Sequence, residues 1–309
     1  MRNKNKKTAY FHLPGLFEFV ELYRAFLPLF FEHREWFHDG FAIGSIYGAP
    51  AGALWGGGRV GFGEASAEEV LALTREYGIS ARLTFSNSLL TEEHLSDRTC
   101  NALCEMFAEG VPAAAAEKAR NGVIVHSDML CRYLKENYPS LYLVSSTTKV
   151  LTEFADLKNE LDREEFSYVV PDFRLNKDFA DLKTLSKEKK DKAEFLVNEC
   201  CDVNCKDRKV CYENVSRKSL GEDCPDHVCR APHAQEGYRF TRAMENPAFI
   251  SLADIRDVYL PLGFSNFKIE GRSLGSAMVL EFLLYYLTRP EWQLKVREEI
   301  YLDSCLDLF

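Results

Sequence analysis

The 309-residue chain has no stretch of about 18 uncharged apolar residues, so it offers no conventional membrane-spanning helix. It also lacks the uninterrupted apolar centre of a secretory signal. The segment FHLPGLFEFVELYRAFLPLFF follows a basic start but carries Glu18, Glu21 and Arg24. A basic surplus is missing too: the net charge is -9 and the pI is near 5.4, which argues against a nucleic-acid coat or an anionic-membrane binder. Several catalytic signatures are absent. There is no GxGxxG fingerprint, P-loop, HExxH zinc motif or nucleophile elbow, and GGGRVGFGE is glycine-rich without matching any of them. Internal repeats and low-complexity linkers are lacking as well. These absences lead us to expect one soluble, cytoplasmic domain over residues 1–309, with no membrane partner.

What is present is a globular composition, 46% hydrophobic and 28% charged, that can bury a large core without disulfides. Eight short apolar runs stand out, at 41–48, 79–87, 121–128, 140–147, 167–172, 192–199, 246–255 and 265–272. Each is followed by a helical pattern. SAEEVLALTREYG is the clearest, with Ser66 as cap and Gly78 as stop. Continuous apolar runs suit parallel strands buried on both faces, and eight βα units predict a (β/α)8 TIM-like barrel. A doubly wound open sheet is the alternative. Residues 1–40 precede the first of these runs and read as a helical extension capping the barrel.

In such a barrel the chemistry sits at the C-terminal ends of the strands. There the sequence places Ser45, Tyr47, Ser86, Asn87, His126, Ser127, Ser145, Ser146, Asp172, Arg174, Asn198, Glu199, Lys268, Glu270 and Arg272. Which of these face the lumen depends on strand register, which the sequence does not give. His126 reads either as a general base or as a hydrogen-bonded rim histidine.

Ten cysteines are present, and six of them crowd into Cys200, Cys201, Cys205, Cys211, Cys224 and Cys229. In a reducing compartment such a cluster points to metal binding or catalysis rather than disulfides. The gaps are irregular, without the paired CxxC knuckles of a zinc ribbon. Irregular spacing suits a cluster wrapped by a long loop, a cysteine-rich insertion over 199–245 after the sixth run. Lys206, Arg208, Lys209 and Arg230 would offset the charge of ligated thiolates. Cys100, Cys104, Cys131 and Cys305 fall in helical patterns or at the terminus and read as buried small residues.

The eighth run, SNFKIEGR, resembles the KIEGR signature of the U32 peptidase-like family through Asn266, Phe267, Lys268, Ile269, Glu270, Gly271 and Arg272. The pair Cys224-Pro-Asp-His-Val-Cys229-Arg230 is similar to the end of that family's cysteine set. The resemblance implies a TIM-like barrel and a [4Fe–4S] cluster on four cysteines. Cys205, Cys211, Cys224 and Cys229 fit the family order, and Cys201 is an alternative to Cys211. It implies oxygen-independent hydroxylation or related redox chemistry on a small-molecule or RNA substrate. Lys268 and Glu270, with His126, would be catalytic. Asn87, Arg174 and Arg272 would bind substrate, the arginines by holding a carboxylate. An ion pair of Glu270 with Arg272 that closes the barrel is the structural alternative. Two other readings remain: a peptidase, and a non-catalytic subunit with structural zinc in a heteromer or homo-oligomer.

Overall fold

The computed structural model describes residues 7–58, 63–109, 120–232 and 234–306; part of the glycine-rich GGGRVGFGE segment lies outside them. Eight strands form one all-parallel sheet: β1 Ala9–Pro14, β2 Phe41–Gly48, β3 Ser80–Phe85, β4 Gly122–Val125, β5 Tyr142–Ser145, β6 Phe166–Val169, β7 Glu194–Leu196 and β8 Asn266–Lys268. The order runs β6-β5-β4-β3-β2-β1-β8-β7. A single parallel bridge, Val169 to Ala193, joins the two ends and closes the barrel. Helices pack outside, as the alternating pattern predicts. None of the described helices is long and apolar enough to cross a membrane.

Seven of the eight expected runs become strands. The exception is 246–255. Ile250 is fully buried and its N–H donates to Val197, but the chain then turns into a helix at Leu252. The cause is local. Ser251 accepts from the Asp254 N–H while the Asp254 carboxylate accepts from the Ser251 N–H, a capping box that starts a helix where a strand would have to continue.

The missing strand lies in the segment expected to be an extension. Ala9–Pro14 pairs with both β2 and β8, so residues 7–40 supply the first βα unit rather than a cap. Only a short turn separates β1 from the helix Val20–Glu32, and the apolar residues of both merge into one run in the sequence. The cysteine-rich segment consequently follows β7.

The strand faces divide cleanly. On β3, Ala81, Leu83 and Phe85 belong to the large core between barrel and helices, while Ser80, Arg82 and Thr84 point the other way. On and after β8, Phe267 and Ile269 face the helices, which turns Asn266, Lys268 and Glu270 inward. A second, smaller apolar cluster fills the lumen: Tyr47, Ile124, Tyr142, Val144 and Val170, with Tyr168 against it.

Candidate active site at the barrel mouth

The middle of the lumen holds charges that the apolar runs concealed. Glu194 is fully buried and accepts from Arg82 Nη1 at 2.6 Å. His12 Nε2 lies 3.4 Å from the same carboxylate, and Lys268 Nζ lies 3.5 Å from its other oxygen. Tyr142 accepts from Arg82 Nε at 2.7 Å, and the Arg82 guanidinium stacks over Tyr168 at 4.6 Å. Burial, opposed by Arg82, His12 and Lys268, leaves the Glu194 carboxyl down at about 2. Burial and the nearby Arg82 push His12 down to about 3. Burial chiefly pulls Lys268 down to about 7, with Arg82 and Arg272 adding to it and Glu194 opposing.

Ser45 Oγ lies 2.8 Å from His12 Nδ1, so Ser45, His12 and Glu194 are joined in the order of a hydrolase triad. The arrangement is structural. Ser45 is wholly buried, and Glu194 is already the counter-ion of Arg82.

Above this layer a small cleft opens at the C-terminal ends of the strands. Lys268 forms its floor, with Nζ 3.5 Å from the centre of the Tyr47 ring. Thr84, Ser86, Glu270 and Arg272 supply polar walls; Ile124, Val170 and Leu196 supply apolar ones. Two glycines make the closeness possible. A Cβ on Gly57 would stand 2.6 Å from the Ser86 backbone, and one on Gly271 would stand 2.6 Å from Val279 and 3.0 Å from Pro14.

The residues singled out from the sequence divide accordingly. Lys268, Glu270 and Arg272 line the cleft together. Arg272 is anchored by Glu18, Nε to Oε1 at 2.9 Å. His126 does not line it. Its Nδ1 lies 2.9 Å from Thr148 Oγ1, and Thr148 is in the cleft wall. Burial, with Lys149 and Lys209 adding, pushes His126 down to about 4, so it is neutral at pH 7. Asn87 and Arg174 have structural partners. Asn87 donates to the carbonyls of Leu54 and Ser216. Arg174 pairs with Asp172 and donates to the carbonyls of Val203 and Cys205, pinning the cysteine segment. His12, Arg82 and Glu194 were not anticipated. A charged residue at an alternate position of a buried strand, as in ISARLTF and KAEFLV, is the signal that marks two of them.

Cys100, Cys104 and Cys131 are buried, as expected, and burial raises all three thiols, Cys100 to about 12 and Cys131 to about 11. The side chain of Cys305 lies outside the described residues. The cysteine-rich segment flanks the mouth. Cys205 and Cys229 line one groove with His227, Cys224 Sγ accepts from Asn214 at 3.7 Å, and Cys211 is exposed on the helix Arg208–Ser219. Among the described residues, the one compact set of three donors is Glu199, Cys200 and Glu270, within 4.8 Å of one another. Glu199 is spent on other work there. One oxygen accepts from the Cys200 and Cys201 N–H groups, and the other lies 2.6 Å from Arg208 Nη2.

No family model and no curated protein matches this sequence. A search of solved structures does find a match, to the structure of the U32 peptidase Mk0906. The TM-score is 0.51 at 14% identity, over 88% of this chain and 96% of that one. The fold is that of a U32 peptidase-like barrel.

Two histidines of this barrel, buried His12 and half-buried His126, set an acid limit. His12 and His126 have folded values near 3 and 4, below the ordinary 6.5. The unfolded chain therefore takes up protons first as pH falls below about 6.5, and stability declines from there. Glu194 adds a second loss, from its ordinary 4.5 toward 2. A melting midpoint that stays flat from pH 7 to pH 4 would contradict this account.

Proposed function

We propose that this U32 peptidase-like barrel is an enzyme whose small polar substrate binds above Lys268, and that the cysteine-rich segment beside the mouth holds a [4Fe–4S] cluster serving oxygen-independent hydroxylation or related redox chemistry. The observation that carries the reading is the cleft itself. A buried lysine, a buried glutamate and an arginine meet at the strand ends, with the thiol-rich segment against them. Cys205, Cys211, Cys224 and Cys229 would hold the cluster, with Cys201 as the alternative to Cys211. The donor chemistry suits it, since thiolates beside Lys206, Lys209 and Arg230 match a cluster's charge. A zinc ion on the same thiols is the alternative, and the irregular gaps without paired CxxC knuckles favour the cluster. When bound, the cluster supplies one-electron chemistry. The chain's own residues bind and orient: Arg272, fixed by Glu18, presents positive charge to the cleft, Glu270 offers an acceptor, and Lys268 closes the floor.

Anaerobic purification followed by iron and sulfide analysis tests the cluster. About four irons and four sulfides per chain are expected for a [4Fe–4S] centre, with loss in Cys205→Ser. Protein from such a preparation that is colourless and iron-free would sink the proposal.

A second reading, hydrolysis of a peptide bond, draws on the His126–Thr148 contact. A neutral imidazole lies 2.9 Å from a hydroxyl in the cleft wall; that hydroxyl donates to Ser146 Oγ at 2.9 Å, so it serves as a nucleophile only when its proton turns to His126. It predicts peptide turnover that Thr148→Ala abolishes. Turnover unchanged in that variant would remove this hydroxyl from the chemistry. Residence in the cytoplasm and an assembly partner belong to the proposal in the same way.

A further inference from the structure

Among the described residues, Thr84 Oγ1, Ser86 Oγ and Lys268 Nζ are buried on the cleft without a hydrogen bond, Lys268 having only its 3.5 Å ion pair with Glu194, and the Glu270 carboxylate lines the same cleft. Buried polar groups are nearly always satisfied, so several left open around one cavity mark the place of a missing partner. The three share a character. Two hydroxyls and an ammonium all donate, and Arg272 adds a guanidinium to the same wall. Each of them can donate to an acceptor, and the ammonium and guanidinium outnumber the one carboxylate in the lining, Glu270, which favours an anionic acceptor. The apolar walls, Ile124, Val170 and Leu196, then suit a carbon skeleton rather than a bare inorganic ion.

We propose that the cleft is a carboxylate-binding subsite, in which Thr84, Ser86 and Lys268 hold the carboxylate of a small organic acid. This rests on the reading of the cleft as the substrate site and is independent of the cluster. The surroundings of Lys268 explain its fitness for the task. Glu194 from β7 is the nearest anion, but it already serves Arg82 from β3 and His12 from β1. Tyr47 from β2 offers its ring face, and Arg272 opposes the charge from beyond β8. An arriving carboxylate supplies the counter-charge this setting withholds. It raises the lysine from about 7, and binding becomes linked to proton uptake.

Calorimetric titration with lactate and with benzoate, two carboxylates of different bulk, tests the proposal. Inorganic phosphate is titrated in parallel, on protein prepared both with and without iron. Saturable binding of at least one carboxylate is expected, with affinity reduced about tenfold in Ser86→Ala and in Thr84→Val, and lost in Lys268→Met. Titration in buffers of different ionisation enthalpy should show uptake approaching one proton per site at pH 8 and almost none at pH 6. Ser86→Ala and Thr84→Val change little volume, so they keep the test open if Lys268→Met fails to fold. No binding, phosphate binding alone, or carboxylate binding indifferent to all three substitutions would overturn the proposal. Carboxylate binding by iron-free protein would support it while leaving the cluster to the iron analysis.

Discussion

Replacing Glu194 with leucine is expected to cost about 3–5 kcal/mol of folding stability, the usual penalty for breaking a buried ion pair from one side. Glu194 is wholly buried, at the centre of Arg82, His12 and Lys268. Without it, the Arg82 guanidinium keeps Tyr142 and the face of Tyr168 but has lost its anion at 2.6 Å. Lys268 loses its nearest anion as well. Denaturant unfolding of the variant measures the cost. The double replacement Glu194→Leu with Arg82→Met should recover much of the loss, because it removes both desolvated charges at once. A loss under about 1 kcal/mol in the single variant would show that the lumen charges are screened by water rather than paired.

The second large effect belongs to Arg208, which opens the helix Arg208–Ser219 within the cysteine-rich segment. Its side chain is only 2% exposed, and it lies 2.6 Å from Glu199 and 3.5 Å from Asp172. The guanidinium also stacks against Phe173 at 4.7 Å and Tyr212 at 5.2 Å. Arg208→Ala leaves the buried Glu199 carboxylate without its cation, while Asp172 keeps Arg174, a cost again of about 3–5 kcal/mol. The cost should fall locally. Few of the segment's side chains belong to the core, so it can detach while the barrel persists. Hydrogen exchange should accelerate across 199–230 and remain slow in β1 to β6. Uniform acceleration over the whole chain would mean that the segment and the barrel unfold as one unit.

The strands could be read because each is a run of apolar residues buried on both faces, and such runs need no partner to be recognised. The exceptions have local causes. Residues 246–255 carry the composition of a strand, but the capping box of Ser251 and Asp254 competes for the backbone and wins. Ala9–Pro14 is a strand hidden by the apolar helix that follows it closely. The KIEGR stretch drew attention to Lys268, Glu270 and Arg272, and these three do share the cleft. Arg174 and Asn87 had equal claims by position, yet their hydrogen bonds go to backbone carbonyls up to 129 residues away in sequence.

The amino-acid sequence thus determined seven of the eight strands, the polar residues at their C-terminal ends and the gathering of six thiols within thirty residues. Each follows from composition and spacing within a few tens of residues. Tertiary structure decided which side chains face inward and what they meet there. Arg82 finds Glu194 across 112 residues of chain, and Lys268 acquires its depressed proton affinity only when β3, β7 and β8 enclose it away from water. Those properties depend on burial and on charges brought together by barrel closure, and neither exists until the chain has folded.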